Sequence, residues 1–222
     1  MKLSLPKKDI VLYIENLINS NFSDGIEINS SQLESMIDEG LKRTESCFKN
    51  VECKYYNEHE IINFNHLNSD HMAVLLYFSA NSGYQFKYEK NLLEKFFYLN
   101  KIMNGVDMFY SVILPKVFFV VHPLGSVFGN AKYGNYMSFY QNVTIGSTED
   151  GSYPSFGKGI VLFGNCSVIG NCKIGNNVLF AANSFIINKN VPDNSTVLGV
   201  YPNNKIIENN DNIINRFFKR IK

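Results

Sequence analysis

The chain has 222 residues, with 21 basic and 20 acidic side chains and a formal net charge of +1. That balance gives no electrostatic reason to expect nucleic acid or an anionic membrane as partner. The residues from Met1 to Lys8 lack the apolar core of a secretion signal, and the longest apolar run, around Val117 to Val121, is too short to span a bilayer. A cytoplasmic protein with no membrane span is therefore expected.

Residues 8–110 read as helical. Asp9 to Ile18 carries apolar residues at helical spacing. Ser30 or Ser31, followed by a glutamate, gives a capping-box start to a second helix. Asn68-Ser69-Asp70 is suited to cap a third, through Met72 to Ser79, and Leu92 to Met103 predicts a fourth. The polar segment from Cys53 to Asn65 reads as irregular. From Asp107 to Val121 strand formers take over and Pro115 bars a helix interior, so the first coil of a new architecture is placed there.

That architecture announces itself in a six-residue period. Val121, Val127, Tyr133, Phe139 and Ile145 form one series, and Phe156, Leu162, Val168, Ile174, Phe180 and Ile186 a second. A smaller column lies two residues earlier: Gly125, Ala131, Met137 and Val143, then Ile160, Cys166, Cys172, Val178 and Ser184. A helix repeats every three to four positions and a strand every two; six fits short strands joined by tight turns, stacked so that one large side chain per strand points inward. Gly134-Asn135, Gly164-Asn165 and Gly170-Asn171 supply those turns. The phase slips only between Ile145 and Phe156, where Ser147 to Tyr153 reads as a projecting loop. The expected fold is α+β: a helical N-terminal domain over 1–110, a coil domain over 111–205, and a C-terminal helical cap over 206–222 closing the open end of the stack.

Cys166 and Cys172, one period apart, are expected as stacked buried thiols, and none of the four cysteines has zinc spacing. No disulfides are expected, given a reducing compartment. The coil region holds one histidine, His122, followed by Pro123 and Gly125. A lone histidine is usually structural. As the sole imidazole in a repeat poor in ionisable groups, it is also the natural general base. Asp107 reads as a helix C-terminal or turn residue.

Asp107, His122-Pro-Leu-Gly-Ser-Val-Phe-Gly129 and Ser138-Phe-Tyr-Gln-Asn-Val-Thr-Ile-Gly146 together resemble the serine acetyltransferase branch of the hexapeptide acyltransferases, and Val191 to Pro202 resembles that family's terminal coil. The resemblance covers about half the chain. It implies a left-handed parallel β-helix, a homotrimer, alone or paired into a dimer of trimers, with sites between subunits, acetyl-CoA as co-substrate, His122 as base and Asp107, fifteen residues upstream, as its partner. It places Gly146, Gly164 and Ala182 beside the pantetheine arm and, loosely, Asp70 on the acceptor side. No metal is implied: the gamma carbonic anhydrases on this fold need three histidines, and the coil has one. The chain departs from the branch at Val121, where the family has aspartate, and at Ser152-Tyr153, where it has Arg-His. Those changes remove a partner for an ammonium group and a bidentate carboxylate clamp. They favour a sugar or polysaccharide hydroxyl, with Tyr153 against its face, over free serine as acceptor. A purely structural β-helix is the non-enzymatic alternative.

Overall fold

The computed structural model describes residues 1–219; the last residues of the expected cap, 220–222, lie outside the described residues. Four helices open the chain: α1 (Lys7–Asn21), α2 (Ser30–Phe48), α3 (Ser69–Gln85) and α4 (Lys90–Asn104). Asn29, not Ser30 or Ser31, caps α2, its side chain accepting the Gln32 N–H. Asn68 caps α3 as expected, accepting from Asp70 and His71. Helices α2 and α3 pack at Gly40, where an added Cβ would lie 2.1 Å from Ser79 Oγ. Gly105, at φ 62°, ends α4 in a left-handed cap and turns the chain into the coil.

The segment between α2 and α3 is not irregular. Ile61–Phe64 pairs antiparallel with Asn57–Glu58 and parallel with Lys2–Leu3. The turn between the first two uses His59 and Glu60, both at positive φ. The composition hid this because only one of the three strands is longer than two residues.

From Asp107 the chain winds as a left-handed parallel β-helix of three faces. The first face stacks Phe118–Val120, Met137–Phe139, Ile160–Leu162, Val178–Phe180 and Ser195–Leu198. The second stacks Asp107–Met108, Val127–Phe128, Thr144–Gly146, Ser167–Ile169 and Phe185–Ile187. The third is short: Lys132, Ser155–Phe156, Lys173–Ile174 and Val191. Phe139, Ile145, Leu162, Val168, Phe180 and Ile186 are fully buried, so the six-residue column is the core of the prism. Each such side chain contributes about 2 kcal/mol of burial.

The column departs from expectation in its first coil. Val120 and Phe128 point inward; Val127 is 41% exposed and Val121 half-buried. In register, Val120 stacks under Phe139 and Phe128 under Ile145. The step from Val120 to Phe128 is thus two residues longer than that from Phe139 to Ile145, and the extra residues lie at the corner that carries His122. The loop after Ile145 is present as expected, folded on itself by Asp150, which accepts from Thr148 Oγ1 and from the Ser152 N–H and hydroxyl.

The C-terminal helix, α5 (Ile213–Phe217), does not close the open end. It lies along the first face, with Ile214 against Gly159 and Phe217 near the Phe163 ring. The last rung is instead closed by Lys205–Glu208, which turns back antiparallel along Ser195–Leu198 and occupies its open hydrogen-bonding edge. Helical and coil residues share one continuous core, joined where Phe78 meets Phe118 and Tyr56 meets Phe119. Cys47, Cys166 and Cys172 are buried thiols, and all four cysteines are free. Burial pushes the Cys47 thiol up to about 12 and Cys166 up to about 11. Among the described residues no helix is long and apolar enough to cross a membrane.

Candidate active site

His122 stands exposed on the corner between the first and second faces, at φ 50°. The corner is pinned on both sides: the Val121 N–H donates to Phe139 O at 2.8 Å, and the Leu124 N–H donates to His122 O at 2.8 Å. The His122 N–H itself donates to Asp70 Oδ2 at 3.2 Å. Asp70 is the second residue of α3, so a carboxylate from the helical domain reaches the coil corner. Burial raises the Asp70 carboxyl above its ordinary range, against the opposing pull of the His122 N–H and imidazole. Its other oxygen, Oδ1, is buried without a hydrogen-bond partner.

A cleft of about 580 Å³ opens at this seam, with Asp70, His122, Cys53, Tyr55, Tyr56 and Asn65 in its wall. Tyr56 is fixed by its hydroxyl, which donates to Val120 O at 3.0 Å. Behind it sits His71, whose Nδ1 accepts the Asn65 N–H at 3.0 Å and whose ring lies against Phe48 and Tyr56. Four of the wall residues, Cys53, Tyr55, Tyr56 and Asn65, belong to the segment that reads as an irregular connector.

The other expected site residues fall elsewhere. Asp107 lies on the second face, its N–H bonded to Ser126 O, and its carboxylate accepts from Lys101 Nζ at 2.8 Å. Among the described residues no hydrogen bond joins it to His122. Tyr153 does not line the cleft; its ring covers Gly129, where an added Cβ would lie 2.7 Å from Cε1. Gly164 and Ala182 follow the first-face strands on the same corner as His122, on higher rungs, beside a ladder in which Asn142, Asn165 and Asn183 bond in sequence at 3.0 Å. Gly146 ends a second-face strand at the next corner. Gly164 also has a packing reason to be small, since a Cβ would meet Gln141 Nε2 at 2.7 Å. Ala182, by contrast, is exposed. Among the described residues no three His, Cys, Asp or Glu side chains are grouped so as to hold a metal ion.

A left-handed β-helix behind a helical domain, with one imidazole on a corner beside a cleft, resembles the hexapeptide-repeat acyltransferases. Within that class the likeness is to the serine acetyltransferases. The chain is 33% identical over 107 residues to the serine acetyltransferase of Synechococcus elongatus, a match covering 46% of this chain and 43% of that protein. The serine acetyltransferase of Neisseria gonorrhoeae superposes with a TM-score of 0.70 at 19% identity, over 94% of this chain and 84% of that one. The same enzyme in complex with serine gives 0.66 at 22% identity, over 89% and 83%. No family model matches the chain. The chain spans about half the length of the curated relatives it matches.

Proposed function

We propose that the protein is an acetyl-CoA-dependent O-acetyltransferase of the serine acetyltransferase type, working in the cytoplasm. The observation that carries the reading is the meeting of His122 and Asp70 in one cleft at the seam between helices and coil. A hydroxyl is a weak nucleophile near neutral pH, so the His122 imidazole takes its proton as the oxygen attacks the thioester carbonyl. The new C–O bond forms, the C–S bond breaks, and the imidazolium returns the proton to the departing CoA thiolate. Backbone N–H groups of the coil are suited to hold the oxyanion of the tetrahedral intermediate.

Free serine is the acceptor the relatives support, since they are serine acetyltransferases and one solved neighbour is a serine complex. The sugar acceptor that Val121 and Ser152-Tyr153 suggest has no counterpart among them. Asp70 also answers the objection raised by Val121. A carboxyl group stands beside His122 after all, supplied by α3 rather than by the preceding residue, and it lines the cleft in which an acceptor's ammonium group would lie. The acetyl-CoA arm is assigned to the corners bearing Gly146, Gly164 and Ala182. Asp107 is assigned to orient His122, for which its carboxylate must exchange Lys101 for the imidazole. The assembly is assigned as a homotrimer. The first face is already covered by the chain itself, with Phe119, Ser138 and Val161 buried although they point outward, and this leaves the second and third faces for subunit contact.

Replacing His122 by alanine tests the reading. CoA release with L-serine should fall below detection while thermal unfolding stays within about 2 °C of the parent, as for an exposed side chain. Retained turnover removes His122 from its role. Acetylation of sugars in preference to serine overturns the acceptor assignment, and no binding of acetyl-CoA by calorimetry leaves a structural β-helix.

A further inference from the structure

We infer that Asp70 is a positioning residue for the base: its carboxylate, held by the helical domain, locks the backbone of His122 in the conformation that aims the imidazole into the cleft. The lock is needed because His122 is doubly restrained. It sits at φ 50°, in the left-handed region that costs a residue with a Cβ about 1 kcal/mol or more. It also precedes Pro123, whose ring restricts the residue before it. Relaxation to negative φ would swing the Cα–Cβ bond and carry the ring away from the cleft. The one hydrogen bond made by the His122 N–H opposes this, and it goes to Asp70 Oδ2.

The carboxylate is itself fixed. Asp70 lies in the first turn of α3, its own N–H bonded to Asn68 Oδ1 at 3.0 Å, and the helix behind it is buried from His71 to Gly83. Asp107 is engaged by Lys101, so Asp70 is the carboxylate that meets His122 in this arrangement. The corner is two residues longer than those above it, and the one bond made by the His122 N–H goes to another domain. Helical domain and base are thereby coupled: a shift of α3 against the coil moves the imidazole.

The inference rests on the acetyl-transfer reading for its kinetic consequence, not for its structural one, and the test keeps the two apart. Asp70→Ala removes the acceptor; Asp70→Asn keeps a carbonyl oxygen for the His122 N–H but no charge. In Asp70→Ala, exchange of the His122 amide measured by NMR should quicken about tenfold or more, and kcat with acetyl-CoA and L-serine should fall about a hundredfold, as for a displaced catalytic group. Asp70→Asn should restore the slow exchange and most of the lost kcat, while KM for serine stays raised for want of the charge. The inference is overturned if Asp70→Ala leaves exchange and kcat unchanged. It is equally overturned if Asp70→Asn, folded by circular dichroism, is as impaired in kcat as Asp70→Ala. If the parent protein releases no CoA with any acceptor but exchange still responds to Asp70→Ala and recovers in Asp70→Asn, the transfer reading fails and the positioning role stands.

Discussion

His71 gives the structure a measurable acid weakness beneath the cleft. Its ring is 1% exposed, packed among Phe48, Tyr56 and Phe64, and burial lowers its pKa from 6.5 to about 4. Nδ1 accepts the Asn65 N–H, so the neutral ring carries its proton on Nε2, which has no partner. Protonation would place an N–H against an N–H and a charge among aromatic rings. Between pH 6.5 and about 4 the unfolded chain therefore binds a proton at this position that the folded chain refuses. Stability from this group is present in full above 6.5 and is lost as the pH falls toward 4, by roughly 3 kcal/mol in all. Urea unfolding at pH 7, 5.5 and 4.5 should show that loss, on top of whatever the carboxylates contribute. His71→Leu removes the titration. It should start lower at pH 7 by roughly 1–3 kcal/mol, because the Asn65 N–H loses its acceptor, and then decline less steeply by about the 3 kcal/mol assigned to the ring. Parallel declines in parent and variant would refute the assignment of the acid weakness to His71.

Two further substitutions test the frame and the site. Gly134→Ala would set a Cβ 2.1 Å from Gly157 O on the rung above, a contact only backbone movement can relieve; the expected cost is about 3 kcal/mol, read as a Tm lowered by roughly 6–12 °C, and an unchanged Tm would mean the rungs do not approach as described. Asp107→Asn should lower kcat by about tenfold or more with KM for serine little changed, since its assigned part is to orient the His122 imidazole; an unchanged kcat would leave Asp107 as the ion-pair partner of Lys101 alone.

The coil was legible because its constraint repeats. Phe139, Ile145, Leu162, Val168, Phe180 and Ile186 each fill the same site in successive rungs, so the period survives in one sequence without any knowledge of contacts. The strands Lys2–Leu3 and Asn57–Glu58 left no such trace, because two residues cannot show alternation and their partner, Ile61–Phe64, is the only part with strand composition. The placing of α5 was not legible either: the segment reads as a helical cap, and nothing in its spacing says that Phe218 meets Tyr136 and bridges to Val51. In the site, His122 was found by its solitude. The contact with Asp70 was not, because the two lie far apart in sequence on elements of different kinds, and a carboxylate near a helix start is ordinarily satisfied by that helix alone.

The first corner shows why regularity and chemistry part company. A strict six-residue coil holds each corner by bonds from the rung below and above, which leaves its side chains either stacked inward or spread over a flat face. Such a corner offers no cleft. Two added residues between Val120 and Phe128 push His122 outward at the corner, with an N–H that has no coil partner and a backbone at φ 50°. Each of those is a cost to folding, and each is answered from outside the repeat: the N–H by Asp70, the neighbouring Val120 carbonyl by Tyr56, the open space by the segment from Cys53 to Asn65. The slip of one position that hides Val120 and Phe128 behind Val121 and Val127 is therefore the local mark of the site, and a break in an otherwise strict period is where such a mark is to be sought.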